Sequence, residues 1–300
     1  MPVQDQFIQS EANKCIEWFG LDQFQPEKAV TSHFLPSSGL LFLRLIFVLY
    51  SGAVQWASVY WMASHFEFRH YFGYFTYLTF IGLHAYFVVT FYHHVRYLLS
   101  SRRPISFLCQ WPMLNYLYVY LYHTVITFNL VTPIVYWGLL SSDFLSKGSD
   151  NDRMEWWLTP SVHGASMVMM LVDVFFNRMV VMTRMLLLVL LTVIIYLCLA
   201  LVYYETEGWL VYSFMDLSQP IRAVMYYSGV FFLFVACFFF QKAIHLLRDF
   251  LFQVKAHRGK NKVMDESMLY GQKGLVTPMM DSGIASQITF VNSSSHHLPV

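Results

Sequence analysis

The chain has 300 residues, 57% of them hydrophobic, 19% aromatic and only 12% charged, with a formal net charge of +1. These proportions exclude an ordinary soluble domain. The near-neutral charge and the lack of a basic motif argue against nucleic acid as a partner.

Residues 1–37 are polar and acidic and show no secretory leader pattern. Ile16, Trp18, Phe19, Leu21 and Phe24 recur among acidic positions, so this stretch is expected to be a cytoplasmic N-terminal segment holding a candidate interfacial helix. Six apolar segments follow, near 38–63, 72–94, 112–139, 159–178, 184–204 and 221–245. Each reaches the roughly 20 residues that a helix needs to cross about 30 Å of hydrocarbon. Backbone groups in lipid must bond within their own segment, so unbroken apolar runs of this length predict helices rather than barrel strands. The expected fold class is all-α, a six-helix transmembrane bundle over 38–248. Its lipid partner is the bilayer of the endoplasmic reticulum or the plasma membrane. Residues 249–300 are basic and then polar, and read as a largely disordered cytoplasmic tail. The sequon Asn292-Ser293-Ser294 falls in that tail, where it is expected to stay unmodified.

Lys and Arg in the short loops set the orientation. Arg96, Arg102 and Arg103 lie between the second and third segments, and Arg178 and Arg184 between the fourth and fifth. Lys255, Arg258, Lys260 and Lys262 follow the sixth. The loop at 140–157 is mostly acidic, and the loop at 205–220 has Glu205, Glu207 and Asp216 but no Lys or Arg. The alternation predicts that both termini are cytoplasmic.

The fourth segment carries two ionisable residues, His163 and Asp173. Such a group at membrane depth costs about 2.5–3.5 kcal/mol on insertion scales and is a functional hypothesis by default. Asp173 lies ten residues beyond His163, about 15 Å along a helix, which is too far for the two to share one site. Arg44, about six residues into the first segment, lies at a depth close to that of Asp173. The expected arrangement is a structural charge pair of Asp173 with Arg44, or with Arg178 or Arg184 at the helix end. His163 instead shares a depth with Thr79, which lies about 10 Å below the outer end of the second segment. Thr76, Thr79, Tyr86, Thr90 and His93 fall within one-third of the helical circumference, and Tyr116, Tyr120, His123 and Thr127 form a second polar stripe. An intramembrane threonine more commonly bonds to a carbonyl one turn back, and a lone histidine is more commonly a bonded structural one.

Two stretches resemble a known family. Tyr77-Leu78-Thr79-Phe80 is similar to the Leu-Thr motif of the androgen-induced gene 1 family, which includes the androgen-dependent tissue-factor-pathway-inhibitor regulator. His163 followed by Asp173 resembles that family's His-then-acid span. Tyr136-Trp137, the His163 helix, and Val211-Tyr212 before Asp216-Leu217 resemble the rolling stone branch of membrane proteins. The resemblance covers roughly residues 38–248. It implies a threonine hydrolase of fatty acid esters of hydroxy fatty acids, with Thr79 as nucleophile and His163 as base. The stretch Thr159-Pro160-Ser161-Val162 departs from the Asn-His-Gly signature of typical members, although Gly164 follows the histidine. For an oxyanion donor, Ser161, Ser166 and Thr76 are equal candidates. No GxSxG elbow is present.

Competing readings are a non-enzymatic scaffold or adhesion and cell-fusion factor of the rolling stone type, a transporter, and a haem protein ligated through His84 and His123. The four cysteines, Cys15, Cys109, Cys198 and Cys237, have neither metal nor redox spacing, so no metal or cofactor is called for.

Overall fold

The computed structural model describes residues 14–65, 67–99, 111–148 and 152–273. Arg102, Arg103, Asp150, Cys109 and the sequon at Asn292 lie outside the described residues. Every regular element among the described residues is a helix. Six helices are long and apolar enough to cross a membrane: Ser37–Ser64, Phe75–Leu99, Pro112–Leu140, Arg153–Phe176, Met185–Glu207 and Pro220–Gln253. They are called spans 1 to 6 below.

The described residues up to Phe252 form one compact unit and those from Gln253 onward a second. Within the first, span 1 packs along span 2, span 2 along span 3, and span 3 against spans 4 and 5. Leu83, Tyr86 and Phe87 of span 2 interlock with Tyr122 and Ile126 of span 3, all with no exposed surface. Met185 and Val189 of span 5 and Phe238 of span 6 complete this core. The outward faces stay apolar, as with Phe42, Leu49 and Trp56 on span 1 and Phe232 and Phe240 on span 6, all exposed. In lipid such faces need no burial against protein.

Several boundaries differ from the sequence expectation. Span 4 begins at Arg153 rather than near 159. Asp152 caps it by accepting a hydrogen bond from the Met154 N–H at 2.9 Å, and Glu155 lies in its first turn, where the helix dipole favours a carboxylate. Hydropathy marks where apolarity ends, and here the helix continues beyond it. The helix of span 6 runs on to Lys273, through part of the segment expected to be an unstructured tail, because no proline interrupts it; residues 274–300 lie outside the described residues. The N-terminal segment holds two short helices, Lys14–Phe19 and Pro26–Val30, and the second buries Ala29 and Val30 in the core. Span 5 stops at Gly208, whose φ of +64° is the left-handed end that glycine adopts without cost.

Beyond that stop the loop folds back over the ends of spans 2 and 5. The rings of Trp209 and His70 stack at 4.0 Å, and Tyr212 accepts a hydrogen bond from the Phe75 N–H at 3.0 Å. Burial holds the Tyr212 hydroxyl above its usual pKa. Asp216 accepts from both the N–H and the hydroxyl of Ser218, and these bonds hold its carboxyl below the usual range.

Candidate functional site

The two ionisable residues of span 4 occupy different surroundings. The Asp173 carboxylate is completely buried and accepts three side-chain hydrogen bonds: from Arg44 Nε at 2.9 Å, from the Tyr86 hydroxyl at 2.6 Å and from Asn177 Nδ2 at 3.1 Å. Arg178 and Arg184 turn elsewhere, toward the Thr31 hydroxyl and the Trp18 carbonyl. From Arg44 the chain of bonds continues. Its Nη1 donates to His94 Nδ1 at 3.2 Å, which leaves the His94 proton on Nε2, facing Ser37 Oγ at 2.8 Å. Ser37 in turn donates to the Val30 carbonyl.

On the other side of Asp173, Asn177 Oδ1 accepts from the Met179 N–H and from Arg248 Nη1, and lies 3.1 Å from the Tyr122 hydroxyl. That hydroxyl is 2.6 Å from His245 Nε2, while His245 Nδ1 donates to the Gln241 carbonyl. Arg248 also donates to the Val174 and Met179 carbonyls. Residues from spans 1, 2, 3, 4 and 6 thus meet around one carboxylate. A buried ion pair is favourable only with most of its remaining lone pairs and protons satisfied; here Arg44 Nη2 is the exception, buried without a partner among the described residues.

The sequence reading misses Tyr122, Asn177, His245 and Arg248. A signal was present: Gln241, His245 and Arg248 recur at i, i+4 and i+7, one face of a helix.

At the other end of span 4, His163 lies in a π-helical turn, Ser161–Ala165, directly after Pro160. Its ring stacks on Tyr136 with centroids 3.7 Å apart and planes within 7°. Tyr136 opens the π-helical turn of span 3, Tyr136–Leu140, which follows Pro133 by three residues. Each proline lacks an N–H and clashes with the carbonyl one turn back, and a widened turn follows within three residues of each. The Trp137 indole N–H ties the two widened turns together by donating to the His163 carbonyl at 3.0 Å.

The His163 Nδ1 atom is buried and has no hydrogen-bond partner among the described residues. The other deeply buried histidines differ. His94, His123 and His245 engage both ring nitrogens with protein groups, His123 through the Val119 carbonyl and the Met182 N–H. His84, the other imidazole of the haem reading, bonds to Ser51 Oγ at 2.9 Å.

Thr79 is buried, and its hydroxyl donates to the Thr76 carbonyl at 2.9 Å; no hydrogen bond joins it to His163. It lines a cavity of about 270 Å³ between spans 2, 3 and 5. A second cavity, of about 160 Å³, lies between spans 2, 3, 5 and 6 and has Thr76, Thr132 and Tyr136 in its wall. Phe75 and Tyr196 face both cavities, with ring centroids 4.8 Å apart. The Thr79 hydroxyl and the Tyr136 ring that carries His163 therefore border different cavities. The three candidate oxyanion donors are engaged as well. Ser161 donates to the Trp157 carbonyl, Ser166 to the Val162 carbonyl, and Thr76 pairs with Tyr212.

The sequence profile of the FAR-17a/AIG1-like protein family matches residues 43–246, more than half of the chain. The chain belongs to that family. The match spans Arg44, Thr79, His163 and Asp173, all of which lie inside the helical bundle. Searches of curated proteins and of solved structures returned no match.

Proposed function

We propose that this FAR-17a/AIG1-like membrane protein is an intramembrane threonine hydrolase of lipid esters, of the class of fatty acid esters of hydroxy fatty acids. The observation that carries the reading is the buried, unpartnered Nδ1 of His163. A native interior rarely leaves a polar atom without a partner, and one that does so calls for a role. A neutral imidazole with a free lone pair, shielded by Tyr136 and walled by apolar spans, suits a general base.

The roles follow from the chemistry. The Thr79 side chain rotates away from the Thr76 carbonyl, giving up a hydrogen bond worth about 1 kcal/mol. Its hydroxyl proton passes to His163 as Oγ1 bonds to the ester carbonyl carbon. The tetrahedral intermediate collapses, its C–O bond to the alcohol breaks, and the imidazolium returns the proton to the departing alkoxide. Water, deprotonated by the same imidazole, then attacks the acyl-threonine, releasing a fatty acid and restoring the hydroxyl. For Thr79 and His163 to meet over one carbonyl, Phe75 and Tyr196 must part so that the two cavities join. Entry from the bilayer matches the apolar walls, and residence in the endoplasmic reticulum or plasma membrane suits such a substrate.

The test is labelling of the purified full-length protein with a fluorophosphonate, followed by peptide mapping. The expected result is an adduct on Thr79 that disappears in His163→Ala. Labelling that survives Thr79→Ala, or no adduct on folded wild-type protein, would overturn the reading and leave the scaffold or fusion-factor role in its place.

A further inference from the structure

The cavity of about 160 Å³ between spans 2, 3, 5 and 6 is apolar on almost every side. Its wall contains several hydroxyl groups, and nearly all of them are committed. Tyr196 donates to the Gly73 carbonyl and Tyr227 to the Met215 carbonyl. Tyr212 accepts from the Phe75 N–H and pairs with Thr76. Thr132 is different: its Oγ1 is buried and has no partner among the described residues.

A threonine inside a helix ordinarily donates to the carbonyl four residues back. Thr124, Thr127, Thr192 and Thr206 all do so, to Tyr120, His123, Leu188 and Val202. Thr132 departs from that pattern at the position whose wall faces a cavity, one helical turn before Tyr136, which carries the His163 ring. The Oγ1 itself has almost no surface open to the cavity, but with no hydrogen bond to give up the side chain turns about Cα–Cβ to offer its proton to an acceptor there.

We infer that this cavity is the ester-binding site, and that the Thr132 hydroxyl donates to the carbonyl oxygen of a bound, uncharged acyl ester. The inference rests on the hydrolase reading for the fate of the ester, not for its binding. An ester is favoured over an ionised acid because, among the described residues, no Lys, Arg or His lines the cavity. The volume is close to that of an engineered apolar cavity of about 150 Å³ that takes benzene, so the carbonyl and a few methylenes fit, not a whole chain. Ile194 and Phe231, in the same wall, are half exposed on the lipid-facing side, which gives the remaining methylenes a way out between spans 5 and 6. A donor placed on the carbonyl bonds more strongly as the oxygen gains charge, so Thr132 fills the oxyanion role that Ser161, Ser166 and Thr76 are too engaged to take.

The test uses the full-length protein in lipid nanodiscs and a diazirine-bearing methyl palmitate as photoprobe. Adducts are expected on the peptides spanning Leu190–Leu197 and Tyr227–Phe234. Thr132→Val, which keeps the shape and removes the hydroxyl, is expected to reduce labelling about five-fold, the worth of one neutral hydrogen bond. Thr132→Ser should retain it, and Leu197→Trp, which fills the cavity, should abolish it. Excess methyl palmitate is expected to compete, and ionised palmitate to compete far less. Equal labelling of wild type and Thr132→Val, adducts confined to other spans, or equal competition by acid and ester would overturn the inference. Thr132→Val should fold with an unchanged midpoint, since it removes an unpartnered hydroxyl, and Thr132→Ser supplies the arm if it does not. His163→Ala is expected to lose the phosphonate adduct and keep the photolabel. A Thr132-dependent photolabel without any phosphonate adduct would therefore overturn the hydrolase and leave the binding site standing.

Discussion

The two ends of span 4 are one helix in two states of polar satisfaction. Around Asp173 every carboxylate oxygen has a donor, and those donors are held in turn by His94, Tyr122 and Arg248. Around His163 the ring has an aromatic face and, among the described residues, no partner for Nδ1, and a neighbouring wall contains Thr132, whose buried hydroxyl is likewise without one. Both ends place ionisable chemistry inside an apolar bundle. The Asp173 end is organised as a strut, because the carboxylate and most of the groups around it are spent on one another, with Arg44 Nη2 and Gln241 Nε2 the exceptions among the described residues. The His163 end is where the proposed chemistry needs an unspent Nδ1 and an unspent hydroxyl.

The largest expected effect lies at the Asp173 end. Arg44→Met leaves Asp173 as an uncompensated buried carboxylate and should destabilise the protein by about 3–5 kcal/mol, read by thermal or denaturant unfolding in detergent. Arg44→Met combined with Asp173→Leu should recover most of that loss; a double variant as unstable as the single would show that the pair is not what holds the spans together. Tyr122→Phe comes next. It removes the hydroxyl facing His245 Nε2 and should cost about 1–3 kcal/mol, with no change in phosphonate labelling if the two ends are independent. His163→Phe should cost less, about 1 kcal/mol, because an aromatic ring can still stack on Tyr136, yet it should abolish labelling. A large stability loss in that variant would place His163 with the structural residues and erase the distinction. Smallest is Thr79→Val, which removes only a bond to the Thr76 carbonyl and should shift stability by less than about 1 kcal/mol while removing the adduct site.

Much of the Asp173 end is legible in the sequence. Depth along a helix brings Arg44 and Asp173 to one level, the polar face of the second segment carries Tyr86, and the structure joins all three. The contribution of span 6 is harder to see. Its apolar run ends near 245, so a hydropathy window stops where His245 and Arg248 begin to matter. At the other end, counting residues gives Thr79 and His163 an expected common depth, but the wall of Phe75 and Tyr196 between the two cavities is not legible. Depth follows from counting residues, whereas azimuth depends on an unbroken 3.6-residue turn. Prolines 133 and 160 sit beside the two places where that turn changes.

The widened turn at Ser161–Ala165 also has a consequence for how span 4 tolerates change. A π turn holds one residue more than the α-helix around it. Because the widened turn takes up most of the roughly 100° that one extra residue adds to an α-helix, its removal would close the helix with both sections nearly in phase. The extra residue is thus a local insertion that leaves Trp156 and Trp157 on one side and Asp173 on the other facing the neighbours they have now. A relative that lacks it should keep its polar residues in register on both sides, with a single-residue gap in any alignment at that point.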